Sequence, residues 1–193
     1  MALVTIKPTT FDKRIAKSIS RQTDPRVETA AEALTWGADE HLLLAASVIV
    51  WLASWHSDKR IKQVATHCLV TTVAAVISPH ALKTMIDQKR PDRKPFAQHR
   101  HGIPRSGKPN DAFPSGHAIH MGALASFATL LPRNLRYGAW VAASILTTTR
   151  VVLLAHWVTD VAAGFATGVV LERMVRLWTR PRPISRKHRR TSS

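Results

Sequence analysis

Three short stretches of this 193-residue sequence combine residue types that suit a group carrying several negative charges. In the first stretch, Lys83 and Arg90 are seven residues apart and Pro91 follows. Seven residues is close to two helical turns, so both cations are expected on one face of a helix that ends before the proline. Two cations on one face suit an anion with several oxygens. The alternative is that both side chains only reach lipid headgroups from the end of a membrane span.

The second stretch reads FPSGH over residues 113–117 and comes directly before an apolar run. Ser115 is a good N-cap residue, and Gly116 allows close approach of the backbone. The free N–H groups of such a helix start, together with the helix dipole, can hold an anion. His117 would then lie beside that anion. An ordinary capped helix with a nearby histidine explains the same residues.

The third stretch joins Arg150, His156 and Asp160. His156 and Asp160 are one helical turn apart, so the carboxylate can hydrogen-bond the imidazole and fix its tautomer, as a nucleophilic histidine requires. Arg150 lies inside an apolar run, where a cation is costly unless it meets an anion or an acidic partner. The alternative is an Arg150–Asp160 or His156–Asp160 pair that only holds two helices together.

Five apolar runs separate the charged segments and predict the elements that position these residues. A helical membrane span needs roughly 17 to 25 residues of this kind. The runs predict an all-α integral membrane bundle of five spans, or six if part of the N-terminal region inserts. A soluble all-helical protein with five buried helices is the alternative. The runs are residues 41–56, 64–82, 117–131, 138–154 and 157–171.

All three stretches are expected on one side of the membrane. The end of the second span, the start of the third, the end of the fourth and the start of the fifth must share that side, because successive spans alternate in direction. Three cations, two histidines and a helix start would then converge on one site. Asp160 is the one carboxylate in the two motifs that contain the histidines, and no set of metal ligands closes around it. The sequence therefore predicts a phosphate site without a metal.

The net charge of +16 first suggests a nucleic-acid or acidic-membrane partner. However, the cations lie mostly in the segments between apolar runs, and 45% of the residues are apolar. This distribution argues against a DNA-binding face and against a disordered basic protein. The single cysteine, Cys68, excludes a disulfide framework and a cysteine-based zinc site.

Three segments are predicted along the chain: an amphipathic helical segment over 1–36, a transmembrane domain over 37–178 and a basic disordered tail over 179–193. In the first segment, apolar residues recur at helical spacing among cations, which suits a helix on the membrane surface. A second helix is expected to begin with Asp24 as N-cap and Pro25 as its first residue, and to stop near Gly37.

Taken together, the three stretches resemble the signature of the type 2 phosphatidic acid phosphatase superfamily. That group includes membrane lipid phosphatases, bacterial class A acid phosphatases and vanadium haloperoxidases. Its signature reads K-x6-R-P, then P-S-G-H, then S-R-x5-H-x3-D, and residues 83–160 match it in order. The chain departs from the family at Thr149, where serine is usual, and at Leu154, where many members carry glycine.

The resemblance implies a role for each matching residue. His156 would attack phosphorus and form a phosphohistidine, with Asp160 orienting its ring. His117 would protonate the leaving oxygen and then activate water. The phosphate oxygens would be bound by the remaining matching residues, which are Lys83, Arg90, Ser115, Gly116 and Arg150.

The same resemblance implies a membrane lipid phosphatase that uses no cofactor and acts on a lipid phosphate or diphosphate. Two other functions stay open: a lipid phosphotransferase on the same scaffold, and a non-enzymatic basic protein that binds membranes or nucleic acid. The basic tail is expected in the cytoplasm, which places the site on the other side of a cell membrane, taken as a bacterial inner membrane. The basic loop 92–112 either contacts a second phosphate or lies solvated at headgroups.

Overall fold

The structure is a computed structural model that describes residues 3–22, 24–91 and 108–184. Within these ranges the chain is mostly helical, as the sequence predicts, and it also has one pair of two-residue strands. Short turns of 3-10 helix follow three of the α-helices. The elements are β1 Val4–Thr5, α1 Thr10–Gln22, α2 Pro25–Thr35, α3 Glu40–Ala53, α4 Lys59–Lys83, β2 Ile86–Asp87, α5 Gly116–Phe127, α6 Arg133–Val152 and α7 Val158–Thr179.

Each of the five apolar runs forms a helix, α3 to α7. Among the described residues, α4 alone is long and apolar enough by itself to cross a membrane. The pair Pro25–Ala38 and Glu40–His56, bent by 40° between its halves, passes the same test as a unit. The number of spans, five or six, stays a prediction.

The helices alternate in direction, so one end of the bundle collects the start of α3, the end of α4, the start of α5, the end of α6 and the start of α7. Helices α5 and α7 make the closest approach. A Cβ atom added to Gly168 would lie 2.0 Å from the Ile119 carbonyl oxygen, and one added to Gly164 would lie 2.6 Å from that of Ser115. Only glycine fits at these two positions of α7, and its start is thereby held against the start of α5.

Most of the buried apolar residues are alanines, whereas many large apolar side chains on the helices point outward. This distribution is the one expected of helices that pack through small residues and face lipid along their sides. Buried examples are Ala75, Ala118, Ala123, Ala125 and Ala143, and exposed examples are Ile49, Ile77, Val141, Ile145, Val170 and Trp178.

The N-terminal region forms α1 and α2. As predicted, Asp24 caps α2, and its Oδ1 accepts a hydrogen bond of 2.7 Å from the Arg26 N–H. Gly37 does not end this helix, because α2 stops at Thr35 and Gly37 lies inside the 3-10 turn that follows. Helix α1 packs Ala16 into an apolar cluster with three residues near the motifs, which are Ala112, Leu154 and Trp157. Its contact with a membrane surface stays a prediction.

A buried polar cluster joins α4, α5 and α7 at the opposite end of the bundle. The Glu172 carboxylate is fully buried and lies 2.8 Å from His67 Nε2, and it accepts hydrogen bonds from Ser126 Oγ at 2.5 Å and Arg176 Nε at 2.7 Å. His67 Nδ1 lies 2.7 Å from the Thr179 hydroxyl. A carboxylate with this many donors is well paired although buried, so the cluster ties the three helices together.

Two predictions fall mainly outside the described residues. The sequence predicts a basic tail over 179–193, of which residues 185–193 are not described. It predicts a basic loop over 92–112, of which residues 92–107 are not described. The domain boundaries at 36 and 178 stay predictions, although α7 ends at Thr179, next to the second of them.

Candidate active site

A cavity of about 260 Å³ lies at the end of the bundle where α3, α5 and α7 begin and α4 and α6 end. Six of the eight predicted site residues line it, namely Lys83, Arg90, Gly116, His117, Arg150 and His156. The other two adjoin this wall: Ser115 precedes Gly116, and Asp160 lies 3.8 Å from the His156 ring. The structure therefore brings together residues that are up to 77 positions apart, from Lys83 to Asp160.

A tight turn after α6 presents His156. The Ala155 N–H donates to the Arg150 carbonyl at 3.1 Å, and the Leu154 N–H donates to the Val151 carbonyl at 3.0 Å. These two bonds form a Schellman motif, in which the residue after the helix adopts the left-handed conformation. Leu154 occupies that position with φ of 51°. The motif ends α6 and fixes Arg150 and His156 relative to one another.

The partners of His156 define its tautomer. Its Nδ1 lies 2.7 Å from the Ala112 carbonyl oxygen, which can only accept, so Nδ1 carries the hydrogen. Nε2 then has the free lone pair and accepts from Arg90 at 3.2 Å. Burial, followed by the cations Arg90, Arg150 and Lys83, holds the pKa of His156 well below its usual value. The imidazole is therefore neutral, with its basic nitrogen on the cavity side.

Asp160 does not make the predicted hydrogen bond with His156. Its Oδ2 is 3.8 Å from Nδ1, which is too long for a hydrogen bond, and it accepts instead from the Trp157 N–H at 2.9 Å. Asp160 lies in the first turn of α7, where a carboxylate satisfies an otherwise unpaired N–H of its own helix start. The Ala112 carbonyl orients the ring, and Asp160 places a carboxylate beside it.

Lys83 and Arg90 lie close together in the structure, but not because of their seven-residue spacing. Helix α4 ends at Lys83, and Arg90 follows β2, so the prediction of one helix face is wrong. Asp111 brings the two together: its Oδ1 lies 2.9 Å from Lys83 Nζ, and its carbonyl accepts from Arg90 at 3.0 Å. Arg90 also donates to the Ala155 carbonyl at 3.0 Å. Asp111 was not among the sequence candidates.

Arg150 is 5% exposed and reaches toward the N-terminal region, where its guanidinium donates to the Thr35 hydroxyl at 3.1 Å. Thr35 is the last residue of α2. A cation of the third motif is therefore positioned in part by a helix that precedes all three motifs in the sequence.

Ser115 occupies the N-cap position of α5, but its side chain makes no capping hydrogen bond. Its Oγ is buried and has no hydrogen-bond partner among the described residues. Gly116 follows on the cavity wall, where an added Cβ would meet Pro79 Cβ at an ordinary 3.5 Å. Protein packing therefore does not require glycine at 116, whereas a ligand close to the backbone would. The hydroxyl and the helix start together offer donors to an anion.

Several cavity residues were missed by the sequence reasoning. His120 lies one helical turn after His117, and the H-x-x-H spacing on an expected helix could have indicated it. Asp39 and Glu40 place acidic groups at the start of α3, so the wall is not uniformly cationic. Asp39 Oδ1 caps that helix, accepting from His41 N–H at 2.9 Å. No sequence pattern connects α3 to the three motifs.

Asp12 of α1 contacts the start of α7 beside the site and was likewise missed. Its Oδ1 accepts from the Thr159 N–H at 3.0 Å and its Oδ2 from the Thr159 hydroxyl at 2.8 Å. Burial alone would raise the pKa of this carboxyl, but the hydrogen bonds from Thr159 and Thr9 outweigh burial and lower it. Asp12 thus stabilises the start of α7 next to Asp160, while the parallel pairing of β1 with β2 holds the preceding residues.

Comparisons with known proteins find relatives of this chain in sequence and in fold. The sequence model of the family described as PAP2 superfamily matches residues 63–184. Relatives named lipid A 1-phosphatase, from Rhizobium etli and Rhizobium johnstonii, are each 31% identical over an alignment of 161 residues, and each match covers 74% of this chain. The matches cover 67% and 64% of those two proteins, so the chain spans about two thirds of their length.

Two solved structures share the fold. The crystal structure of Aquifex aeolicus LpxE has a TM-score of 0.67 at 13% identity, covering 89% of this chain and 98% of that one. The Bacillus subtilis phosphatidylglycerolphosphate phosphatase, described as the first transmembrane one of PAP2 type, has a TM-score of 0.66 at 20% identity, covering 92% and 88%.

Proposed function

Because the chain belongs to the PAP2 superfamily, we propose that it is a membrane lipid phosphatase that works through a phosphohistidine intermediate. The geometry of His156 carries this proposal. Its imidazole is neutral, its Nε2 faces a cavity, and three cations line the same cavity. A basic nitrogen held among cations suits attack on a phosphate, whose charge the cations neutralise.

In the first step, His156 Nε2 attacks phosphorus while the bond from phosphorus to the lipid oxygen breaks. His117, in its protonated form, donates a proton to that oxygen, so that a lipid phosphate loses a neutral alcohol and a lipid diphosphate loses a lipid monophosphate. Lys83, Arg90 and Arg150 stabilise the negative charge on the phosphate oxygens as it is redistributed. Arg90 already contacts Nε2 and can move from the ring nitrogen to a phosphate oxygen.

In the second step, His117 is neutral and accepts a proton from water. The resulting hydroxide attacks phosphorus, the bond to Nε2 breaks, and inorganic phosphate leaves with His156 restored. The Ala112 carbonyl and the Asp160 carboxylate stabilise the positive charge that the phosphorylated ring carries. Both steps use fixed cations of the chain for charge neutralisation, and we propose that the reaction needs no metal ion.

The substrate is proposed to be a lipid phosphate or diphosphate whose chain stays in the bilayer. Large apolar side chains face outward along α3, α4, α6 and α7, which supports a position in lipid. The curated relatives are named for the 1-phosphate of lipid A, and one structural match is named for phosphatidylglycerolphosphate. Both names describe a phosphate on a lipid, and lipid A, phosphatidylglycerolphosphate and phosphatidic acid form the first panel to test.

A phosphate-release assay on the purified chain in detergent tests the function. We expect release from at least one lipid of the panel, loss of release in His156→Ala, and unchanged release in His56→Ala, which changes an exposed histidine at the other end of the bundle. In His117→Ala, a labelled phosphoenzyme should accumulate with a good leaving group, because the second step lacks its base. Full release by His156→Ala would contradict the mechanism.

The same assay separates the remaining alternatives. A labelled product that appears on an added lipid alcohol instead of as free phosphate would indicate a phosphotransferase. Binding to lipid or nucleic acid that falls steeply with salt, without any turnover, would indicate a non-enzymatic binder. Loss of release on addition of EDTA would contradict the metal-independent mechanism.

A further inference from the structure

His120 is a buried histidine that the proposed mechanism does not use. It lies on α5, one helical turn beyond His117, and is 4% exposed. Neither of its ring nitrogens has a hydrogen-bond partner among the described residues. An imidazole carries one donor and one acceptor when neutral, and leaving both unpaired in a buried position is unfavourable unless a ligand pairs with them.

His120 lies where two cavities meet. The polar cavity with the three cations has His120 on its wall, on the same helix as His117. A second cavity of about 140 Å³, lined almost entirely by apolar atoms, also has His120 on its wall. This apolar cavity lies between α3, α4 and α5, with Leu43, Val50, Ala123 and Phe127 among its lining residues.

The order of groups along α5 matches the order of groups along a phospholipid. The phosphate belongs at the helix start with Ser115 and Gly116, and the leaving oxygen belongs at His117. The atoms beyond that oxygen then extend along α5 toward His120, and a hydrocarbon chain can continue into the apolar cavity. His120 would therefore meet the short polar segment that joins a phosphate to a chain.

We propose that His120 binds this polar segment and so favours lipid phosphates whose alcohol carries oxygen atoms close to the phosphoester. Glycerol-based and sugar-based lipids have ester, amide or hydroxyl oxygens at that distance, whereas an isoprenoid phosphate has only hydrocarbon there. The chain of the bound lipid enters the apolar cavity. This inference rests on the proposed function, because it assigns the substrate class of the same site.

The test compares two substrates in the same detergent, phosphatidic acid and a polyprenyl monophosphate. In His120→Leu we expect kcat/KM for phosphatidic acid to fall about tenfold, mainly through KM, because one hydrogen bond to the substrate is lost. For the polyprenyl phosphate kcat/KM should be unchanged or higher. His120→Gln, which keeps a donor and an acceptor, should recover part of the preference, and His56→Leu serves as the control for loss of a histidine.

An equal fall in kcat/KM for both substrates in His120→Leu would assign His120 a structural role. An unchanged kcat/KM for both would show that His120 does not contact the substrate. Either result overturns the inference. A binding measurement without turnover tests this inference independently of the proposed function. In a His156→Ala background, the Kd for fluorescent analogues of the two lipids should differ, and His120→Leu should remove that difference.

If the unmodified chain releases phosphate from neither of these two lipids nor from any other lipid of the panel, the proposed function fails and the binding measurement alone decides on His120. A preference for the glycerol-based analogue that depends on His120 would support the inference. Equal binding of both analogues by the unmodified chain would overturn it.

Discussion

At the scale of single residues, the reactivity of His156 depends on what each of its ring nitrogens contacts. The Ala112 carbonyl holds the proton on Nδ1, and the Arg90 guanidinium faces Nε2 at 3.2 Å. Burial and the neighbouring cations together lower the pKa of the ring from 6.5. The nucleophile therefore stays unprotonated as the pH falls through the range in which an exposed histidine would gain a proton.

This lowered pKa predicts the pH dependence of the reaction. The acid limb of kcat/KM assigned to His156 should lie well below pH 6.5. In Arg90→Gln, one repelling cation is removed, so the pKa of His156 rises and the limb should move to higher pH by about one unit. A pH profile of kcat/KM on a soluble phosphate ester measures both positions.

The control for this shift is Lys89→Gln, which removes a cation from the exposed neighbouring position. The acid limb of that variant should coincide with that of the unmodified chain. A limb in Arg90→Gln that does not move would mean that Arg90 does not set the protonation of His156.

Ser115 provides a second prediction at this scale. Its buried hydroxyl has no hydrogen-bond partner among the described residues, so the fold gains nothing from it without a ligand. In Ser115→Ala we expect an unchanged or higher melting temperature together with a fall in kcat/KM of at least about tenfold. Thermal unfolding and phosphate release measure the two effects. A lower melting temperature with unchanged activity would assign the hydroxyl to the fold.

The residue types of the site could be predicted from the sequence, but their contacts could not. All eight candidates lie in or beside one cavity, because the order of motifs and spans determines which ends meet. The hydrogen bond between His156 and Asp160 was expected from their spacing alone. The spacing does not show that an N–H at the start of α7 competes for the same carboxylate, and in the structure Asp160 accepts a hydrogen bond from that N–H.

At the scale of elements, the turn after α6 combines a strained residue with a buried side chain. Leu154 has φ of 51°, which is unfavourable for any residue except glycine, yet its side chain is only 1% exposed and packs with Ala16, Ala112 and Trp157. Glycine adopts this φ without strain. In this chain, burial of the leucine side chain offsets the backbone strain.

A glycine variant is usually less stable than the alanine variant at the same position, and at Leu154 we expect the reverse. Both Leu154→Ala and Leu154→Gly lose the buried side chain, but only glycine also relieves the backbone. We expect Leu154→Gly to be more stable than Leu154→Ala by about 1 kcal/mol. Thermal or denaturant unfolding in detergent measures the difference.

Leu153 is the matched control, because it is equally buried and has φ of −77°. There the ordinary order should hold, with Leu153→Ala more stable than Leu153→Gly. If alanine is also the more stable substitution at Leu154, the left-handed backbone there is not a source of strain.

The elements themselves show where sequence patterns stop being informative. The apolar runs predicted all five helices α3 to α7, since apolar length is a property of each run alone. The spacing of Lys83 and Arg90 wrongly predicted that both lie on one helix. A segment of seven residues can form two helical turns, but it can equally form a helix end, a turn and a strand. The contact of Asp12 with Thr159 joins residues 147 positions apart, and no local pattern indicates it.

At the scale of the whole molecule, the alternation of helix directions gives the protein two different ends. The site, α1 and α2 belong to one end, and the Glu172 cluster and the loop before α4 belong to the other. Both ends carry cations, so charge along the described helices does not decide which end faces the cytoplasm. The basic residues after α7 predict the orientation instead, because cations that closely follow a span favour the cytoplasmic side.

The orientation predicts which end reacts with a reagent that cannot cross the membrane. In a Cys68→Ala background without other cysteines, Thr84→Cys places a thiol at an exposed position on the site end, and Lys59→Cys places one at the other end. In spheroplasts of an expressing bacterium, an impermeant maleimide should label Thr84→Cys at once and Lys59→Cys only after the membrane is opened. Phosphate release by each variant checks that the fold is kept. Labelling in the reverse order would place the site in the cytoplasm, and the basic residues after α7 would then lie outside, against the positive-inside rule.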